Sequence, residues 1–164
     1  MSRNDFMYNI RQFRVSEVEA LRDLIHHTID VSYIPVYPPR AVQFFKEYHS
    51  VVKIIGRFTK GEIFVVETDG KLIGTGTIVG VDIFGVFVHP DFQHHGLGKA
   101  LMKELEEKAI TSGISEVALN VSLPSRKFYE NLGYEIIEEH AKDVGKGQWL
   151  HYWEAKKTLM KGQS

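Results

Sequence analysis

The chain contains no cysteine, which excludes disulfides, thiolate metal ligands and any acyl-cysteine relay. An excess of charge of either sign is also missing. Lys and Arg number 20 against 21 Asp and Glu, for a net charge of −1, so no basic field marks a nucleic-acid or anionic-membrane surface. No apolar run approaches the roughly 20 residues needed to span a bilayer, and Met1-Ser-Arg-Asn-Asp-Phe-Met-Tyr8 lacks the apolar centre of a secretion signal. The expectation is a cytoplasmic protein with neither nucleic acid nor membrane as partner. The eight His predict no metal site, because His26-His27 and His94-His95 are adjacent pairs rather than i, i+4 pairs with an acidic companion. Repeats, linkers and low-complexity tracts are absent. The 164 residues therefore read as one domain, 1–164, within the usual range of roughly 100–200.

Proline is scarce, and three of the 5 lie within Ser32-Tyr-Ile-Pro-Val-Tyr-Pro-Pro39, which predicts a stiff loop there. Before it, Tyr8 to Arg14 reads as a strand and Ser16-Glu-Val-Glu19 as a capping box. That box opens a helix whose stripe Val18, Leu21, Leu24, Ile25 and Ile29 ends near Asp30. After it, a second helix starts near Pro39 with Phe44, Phe45 and Tyr48 on one side. Ile63 to Glu67 and Leu72 to Val79 read as strands joined by an Asp-Gly hairpin turn, and Asp82 to Val88 as a third. A helix with Leu97, Leu101, Leu105 and Ala109 on one face stops near Gly113. Val117 to Val121, Tyr134 to Glu138 and Gln148 to Lys156 read as strands, Pro124 to Leu132 as a short helix, and Ala141 to Gly147 as a flexible, charged connection. The order β-α-α-β-β-β-α-β-α-β-β predicts an α/β fold, a central mixed sheet flanked by helices.

Chemistry concentrates where the strand ending at Val88 turns through Gln93-His-His-Gly96-Leu-Gly98-Lys99 into a helix. Helix N-termini expose unpaired N–H groups and the positive end of the dipole, so a glycine-bearing turn there suits an anionic group. Two nucleotide motifs fit badly. A phosphate-binding loop needs Gly where Gln93 stands and a hydroxyl where Ala100 stands, and the dinucleotide fingerprint lacks its third glycine at Leu101.

Gln93-His-His-Gly96-Leu-Gly98, preceded by Val88-His-Pro90, resembles the acyl-CoA motif of the GNAT superfamily of N-acetyltransferases, Q/R-x-x-G-x-G/A. Ser122-Leu-Pro-Ser-Arg-Lys-Phe-Tyr129-Glu-Asn-Leu-Gly133-Tyr is similar to that family's second helix motif, N-x-x-[AS]-x-x-[FL]-Y-x-x-x-G-[FY]. Together the motifs cover about 82–134. The resemblance implies acetyl-CoA as co-substrate, held by the main chain of Val86, Phe87 and Val88 along the pantetheine and by Gln93, His94, His95, Gly96, Leu97, Gly98 and Lys99 around the pyrophosphate. Ser122 departs from the family Asn, and Asn120, two residues earlier, is the candidate to replace its cofactor contact. Tyr129 matches the family tyrosine beside the sulfur. A phenol with an ordinary pKa of about 10 holds a proton to give to the departing thiolate, although packing on Phe128 and Leu132 is the other reading.

For the proton on the amine, the position counted back from the glycines is Asp82. Strand alternation puts Asp82, Phe84 and Val86 on one face, and the shorter carboxylate would act through a water. A solvated Asp at the start of a strand is the alternative. Phe84 occupies a position where other members carry the base, and with Tyr33, Tyr37 and His151 it is the expected wall of the acceptor site. His140 is a further candidate there, and ring faces attract ammonium groups by about 0.5–2 kcal/mol. The resemblance thus implies direct acetyl transfer to a primary amine of a small molecule or peptide in a ternary complex. The alternative is an acyl-CoA-binding sensor without turnover. A homodimer is compatible with either.

Overall fold

A computed structural model describes residues 7–159. The amino-terminal residues 1–6 and the final residues 160–164 of the expected domain lie outside the described residues. The elements are β1 (Asn9–Gln12), α1 (Val18–Ser32), α2 (Pro39–Tyr48), α3 (Val51–Lys60), β2 (Glu62–Thr68), β3 (Lys71–Val79), β4 (Asp82–Val88), α4 (Leu97–Thr111), β5 (Glu116–Val121), α5 (Arg126–Asn131), β6 (Glu135–Gly145) and β7 (Gln148–Thr158). All seven strands join one mixed sheet in the order β1-β2-β3-β4-β5-β7-β6, in which only β4 and β5 run parallel. No helix among the described residues is long and apolar enough to cross a membrane.

Alternation along the strands feeds two apolar layers. Phe64 and Val66 of β2 join Leu97, Leu101, Met102 and Leu105 of α4 on one face. Ile63 and Val65 join Leu21, Leu24, Ile25 and Ile29 of α1 and Ile54 of α3 on the other. Leu101 is fully buried, so Leu101→Ala would cost about 2–5 kcal/mol. The β2–β3 turn forms as its sequence predicts, with Asp69 and Gly70 at φ 49° and 75°, the left-handed pair that a two-residue hairpin requires.

Three expectations need correction. The entry to α1 is not a Ser16 box: a 3-10 turn over Val15–Glu17 comes first, and the Glu17 carboxylate accepts the Arg14 N–H at 2.9 Å. Arg11 ties that carboxylate to Glu67, at 2.8 and 2.7 Å. The helix from Pro39 breaks at His49 and restarts at Ser50, whose Oγ accepts the Lys53 N–H at 3.3 Å as an N-cap. Finally, Ala141 to Gly145 is strand rather than loose connection, paired with β7 as far as Gly145↔Gln148, and only the Lys146-Gly147 turn is not strand. Cross-strand bonds override the weak local preference of those residues.

Candidate active site

The site begins as a fault in the sheet. β4 and β5 share a single pair, Asp82↔Ala118, and the Ala118 N–H donates to Val81 O at 2.9 Å. Beyond it the strands separate. On its other edge β4 carries a bulge: Thr77 faces Phe84 and Thr75 faces Phe87, so Gly85 and Val86 together oppose Gly76. Gly85 takes φ 63°, a conformation that costs an L-residue about 1–2 kcal/mol. The bulge reverses the parity of the strand. Ile83 and Val86 pack toward α4, whereas Phe87 joins the layer under α1 and α2. Asp82 and Phe84 therefore share a face, but Val86 does not, contrary to simple alternation.

Two cavities meet at this fault. One, of about 450 Å³, runs from Thr28 and Ser32 on α1 past Val86 to Val88 and the Gln93–Lys99 turn to Pro124 and Phe128. The other, of about 240 Å³, lies between Phe44 and Tyr48 of α2, Phe84 of β4, Asn120 of β5 and Tyr152 of β7. Tyr33, Val86, Phe87, Ser125 and Tyr129 line both.

In the larger cavity Gly96 is the N-cap of α4 at φ 80°, and no side chain caps the helix. The first free N–H groups of α4 thus have no intrahelical acceptor, and Leu97, Gly98 and Lys99, which carry them, line the cavity. Gly98 also sits close against α5. A Cβ there would lie 3.0 Å from Phe128 Cζ, so glycine lets α4 and α5 approach. His94 sits at φ 68° on the rim, and the Gln93 side chain donates to Val88 O at 3.0 Å, bracing the turn. These residues, Leu97 and Lys99 line the cavity, but the exposed His95 does not. The uncapped helix start suits a pyrophosphate by its donors.

At the junction Tyr129 is buried, edge-on to Phe128 and Tyr134 at 5.0 and 5.7 Å. Burial raises its pKa, with a further push from Tyr33, so the phenol is protonated at neutral pH. Tyr33 donates to Ser122 Oγ at 3.2 Å, and Ser122 Oγ lies 2.7 Å from Ser125 Oγ. Ser122 makes no side-chain cap. Together with Asn120, it lines the smaller cavity rather than the larger one.

Of the acceptor-side candidates, Tyr33 and Phe84 line the smaller cavity and the others do not. Tyr37 is buried away from both cavities, accepting Leu123 N–H at 2.8 Å and donating to His151 O at 3.2 Å, a tie between loop, turn and strand. His151 is exposed and alternates with Leu150 and Tyr152, which line the cavity, so its ring points to the opposite face. His140 stacks on Tyr152 at 5.2 Å and bonds Glu154 at 3.2 Å without lining the cavity. Asp82 is exposed, one pleat outward from Phe84, and lines neither cavity. Phe84 does line the smaller one.

The residues that sequence reading missed are His49, Arg57, Lys142 and Ser125. His49 is 3% exposed and lines the smaller cavity; Arg57 Nη1 donates to its Nδ1 at 2.8 Å. Arg57 also donates to Tyr48 O and lies 4.8 and 5.0 Å from the Tyr48 and Phe84 ring centroids. Burial, then the Arg57 charge, pushes the His49 pKa well down, so its ring stays neutral. The only local signal for this pair was the Ser50 cap, which separates the two helices that bring His49 and Arg57 together.

Comparison with known proteins accords with this geometry. The model of the acetyltransferase (GNAT) family matches residues 22–134. An Arabidopsis thaliana protein, GCN5-related N-acetyltransferase 2, chloroplastic, is 37% identical over 62 residues, 38% of this chain but 24% of that relative's length. The chain thus matches about a quarter of that relative. A GCN5-related N-acetyltransferase from Rhodopseudomonas palustris superposes with a TM-score of 0.84 at 18% identity, covering 92% of this chain and 95% of that one. The PaiA N-acetyltransferase of Thermoplasma acidophilum, solved with coenzyme A, gives 0.77 at 18% identity over 94% and 100%. The yncA protein of Salmonella typhimurium, solved with its cofactor acetyl-CoA, gives 0.65 at 17% over 96% of each chain.

Proposed function

Because the chain belongs to the acetyltransferase (GNAT) family, we propose that it moves an acetyl group from acetyl-CoA directly onto a primary amine of a small molecule or peptide, with both bound at once. The observation that carries this reading is the shared lining. Tyr33, Val86, Phe87, Ser125 and Tyr129 face both cavities, so two ligands would touch without a carrier side chain between them. Holding reactants in such contact can supply about 7–11 kcal/mol of the barrier.

Acetyl-CoA would supply the activated acetyl thioester. The free N–H groups of Leu97, Gly98 and Lys99 would hold its pyrophosphate at the positive end of α4, and the main chain of Val86 to Val88, lacking a β5 partner, would hold the pantetheine. Tyr129 would give its proton to the sulfur. Asp82, on the Phe84 face but outside the cavity, would take the amine proton through a water.

Thiol release from acetyl-CoA against an amine panel tests the proposal. Acceptor-dependent thiol supports it; tight acetyl-CoA binding without acceptor-dependent thiol would establish the sensor reading instead. Acetyl-CoA at a hundredfold excess over Kd should stabilise the fold by about 2.7 kcal/mol, with NAD and ATP giving much less.

A further inference from the structure

The smaller cavity is lined by no Asp or Glu, an unexpected wall for a ligand that arrives as an ammonium ion. Positive charge flanks it instead. Lys142 lines the cavity with Nζ 5.3 Å from the Phe44 ring centroid, and Arg57 lies directly behind Tyr48 and Phe84. Neither cation is within ion-pair distance of a carboxylate among the described residues. Glu138 and Glu154 contact His140 at 3.5 and 3.2 Å and lie outside the lining.

His49 lines the same cavity as Lys142 and is bonded to Arg57. Its Nδ1 accepts from Arg57, which has no acceptor of its own, so the neutral ring must carry its proton on Nε2. That N–H has no partner among the described residues, although His49 is 3% exposed and no sealed side-chain polar atom is left unpaired. An unpaired Nε2 therefore keeps some exposure, and the cavity is the one that His49 lines.

We propose that the acceptor is an amino carboxylate, whose carboxylate accepts the His49 Nε2–H within the field of Arg57 and Lys142 while its amine faces the Tyr129 junction. This rests on the acetyl-transfer reading above. His49 is the binding group, and Arg57 is a positioning residue that fixes its tautomer. A second ammonium group on the acceptor would meet this positive field, so diamines and polyamines are disfavoured.

Matched acceptors isolate the carboxylate: phenylalanine, phenylalaninamide and phenethylamine, with the same triple built on leucine and on methionine. Thiol release should give kcat/KM at least tenfold higher for the carboxylate in the best-used triple. Lys142→Gln, at an exposed position that leaves the fold intact, should cut this preference to threefold or less through KM, with Tm and acetyl-CoA Kd unchanged. His49→Gln should raise KM for the carboxylate and not for the amide. Equal or better use of the amides or decarboxylated amines by the wild type would overturn the proposal, as would a preference that survives both substitutions. If no amine of any class releases thiol, the transfer reading itself falls, and this inference with it.

Discussion

Replacing Tyr129 by Phe is the sharpest test of how the leaving sulfur is served. The substitution deletes one oxygen and keeps a ring held edge-on by Phe128 at 5.0 Å and Tyr134 at 5.7 Å, while the Tyr129 carbonyl still accepts the Leu132 and Tyr134 N–H groups. Stability should therefore change by no more than about 1 kcal/mol. Acetyl-CoA Kd should barely move. A single general acid is worth about 10²–10⁴ in rate, or about 2.7–5.4 kcal/mol of barrier at 1.36 kcal/mol per tenfold, and that loss should fall on kcat. Burial raises the phenol's pKa above its ordinary 10.0, so the wild type should show no loss from Tyr129 deprotonation through neutral and mildly alkaline pH. An acetyl thioester of a more acidic thiol needs less help in leaving and should narrow the gap between wild type and variant. A kcat within twofold of wild type, or a gap that ignores the leaving group, would refute the assignment and leave Tyr129 as packing.

Gly98→Ala should press on Phe128, which a Cβ would approach to 3.0 Å. It should cost about 1–3 kcal/mol of stability and weaken acetyl-CoA binding in calorimetry, with Phe128→Ala restoring part of both; no restoration would place the clash elsewhere. Asp82→Asn should lower kcat/KM at neutral pH and recover partly at high pH, where free amine is abundant, while an unaltered pH profile would hand the proton to solvent. Arg11→Met should destabilise most above about pH 5. The Glu17 carboxyl is held below its ordinary 4.5, first by its hydrogen bond to Arg11, so its contribution is present above that value and lost as pH falls through the lowered one. The difference in Tm between wild type and variant should shrink towards pH 3, and a constant difference would deny the linkage.

The sequence made the strand-turn-helix around Gly96 legible, because positive φ, a free helix end and an apolar strand each leave a local mark. It did the same for the Asp-Gly hairpin and the α4 stripe. The bulge at Gly85 and Val86 left no such mark. Phe84 to Val88 is apolar almost throughout, so alternation has nothing polar to lock its phase, and the bulge turns Val86 to the other face. Ala141 to Gly145 reads as loop because its order comes from pairing with β7 rather than from its own residues. The pairing of Arg57 with His49 depends on how two helices fold back at Ser50, a tertiary event that neither helix encodes alone. Tyr37 and His151 had suitable chemistry, but burial and strand parity turned their side chains elsewhere.

The single rung between β4 and β5 makes the sheet two plates joined by a pin: β1 to β4 on one side, β5, β7 and β6 on the other. A ligand in the gap would act as the missing strand, its amides completing ladders that the protein leaves open. Any change that let the plates zip together past Asp82 and Ala118 would add backbone hydrogen bonds and rigidity while closing the slot. Selection for a stiffer molecule and selection for a binding slot therefore pull on the same few peptide groups, and the described fold keeps its most unfinished seam where it has most to hold.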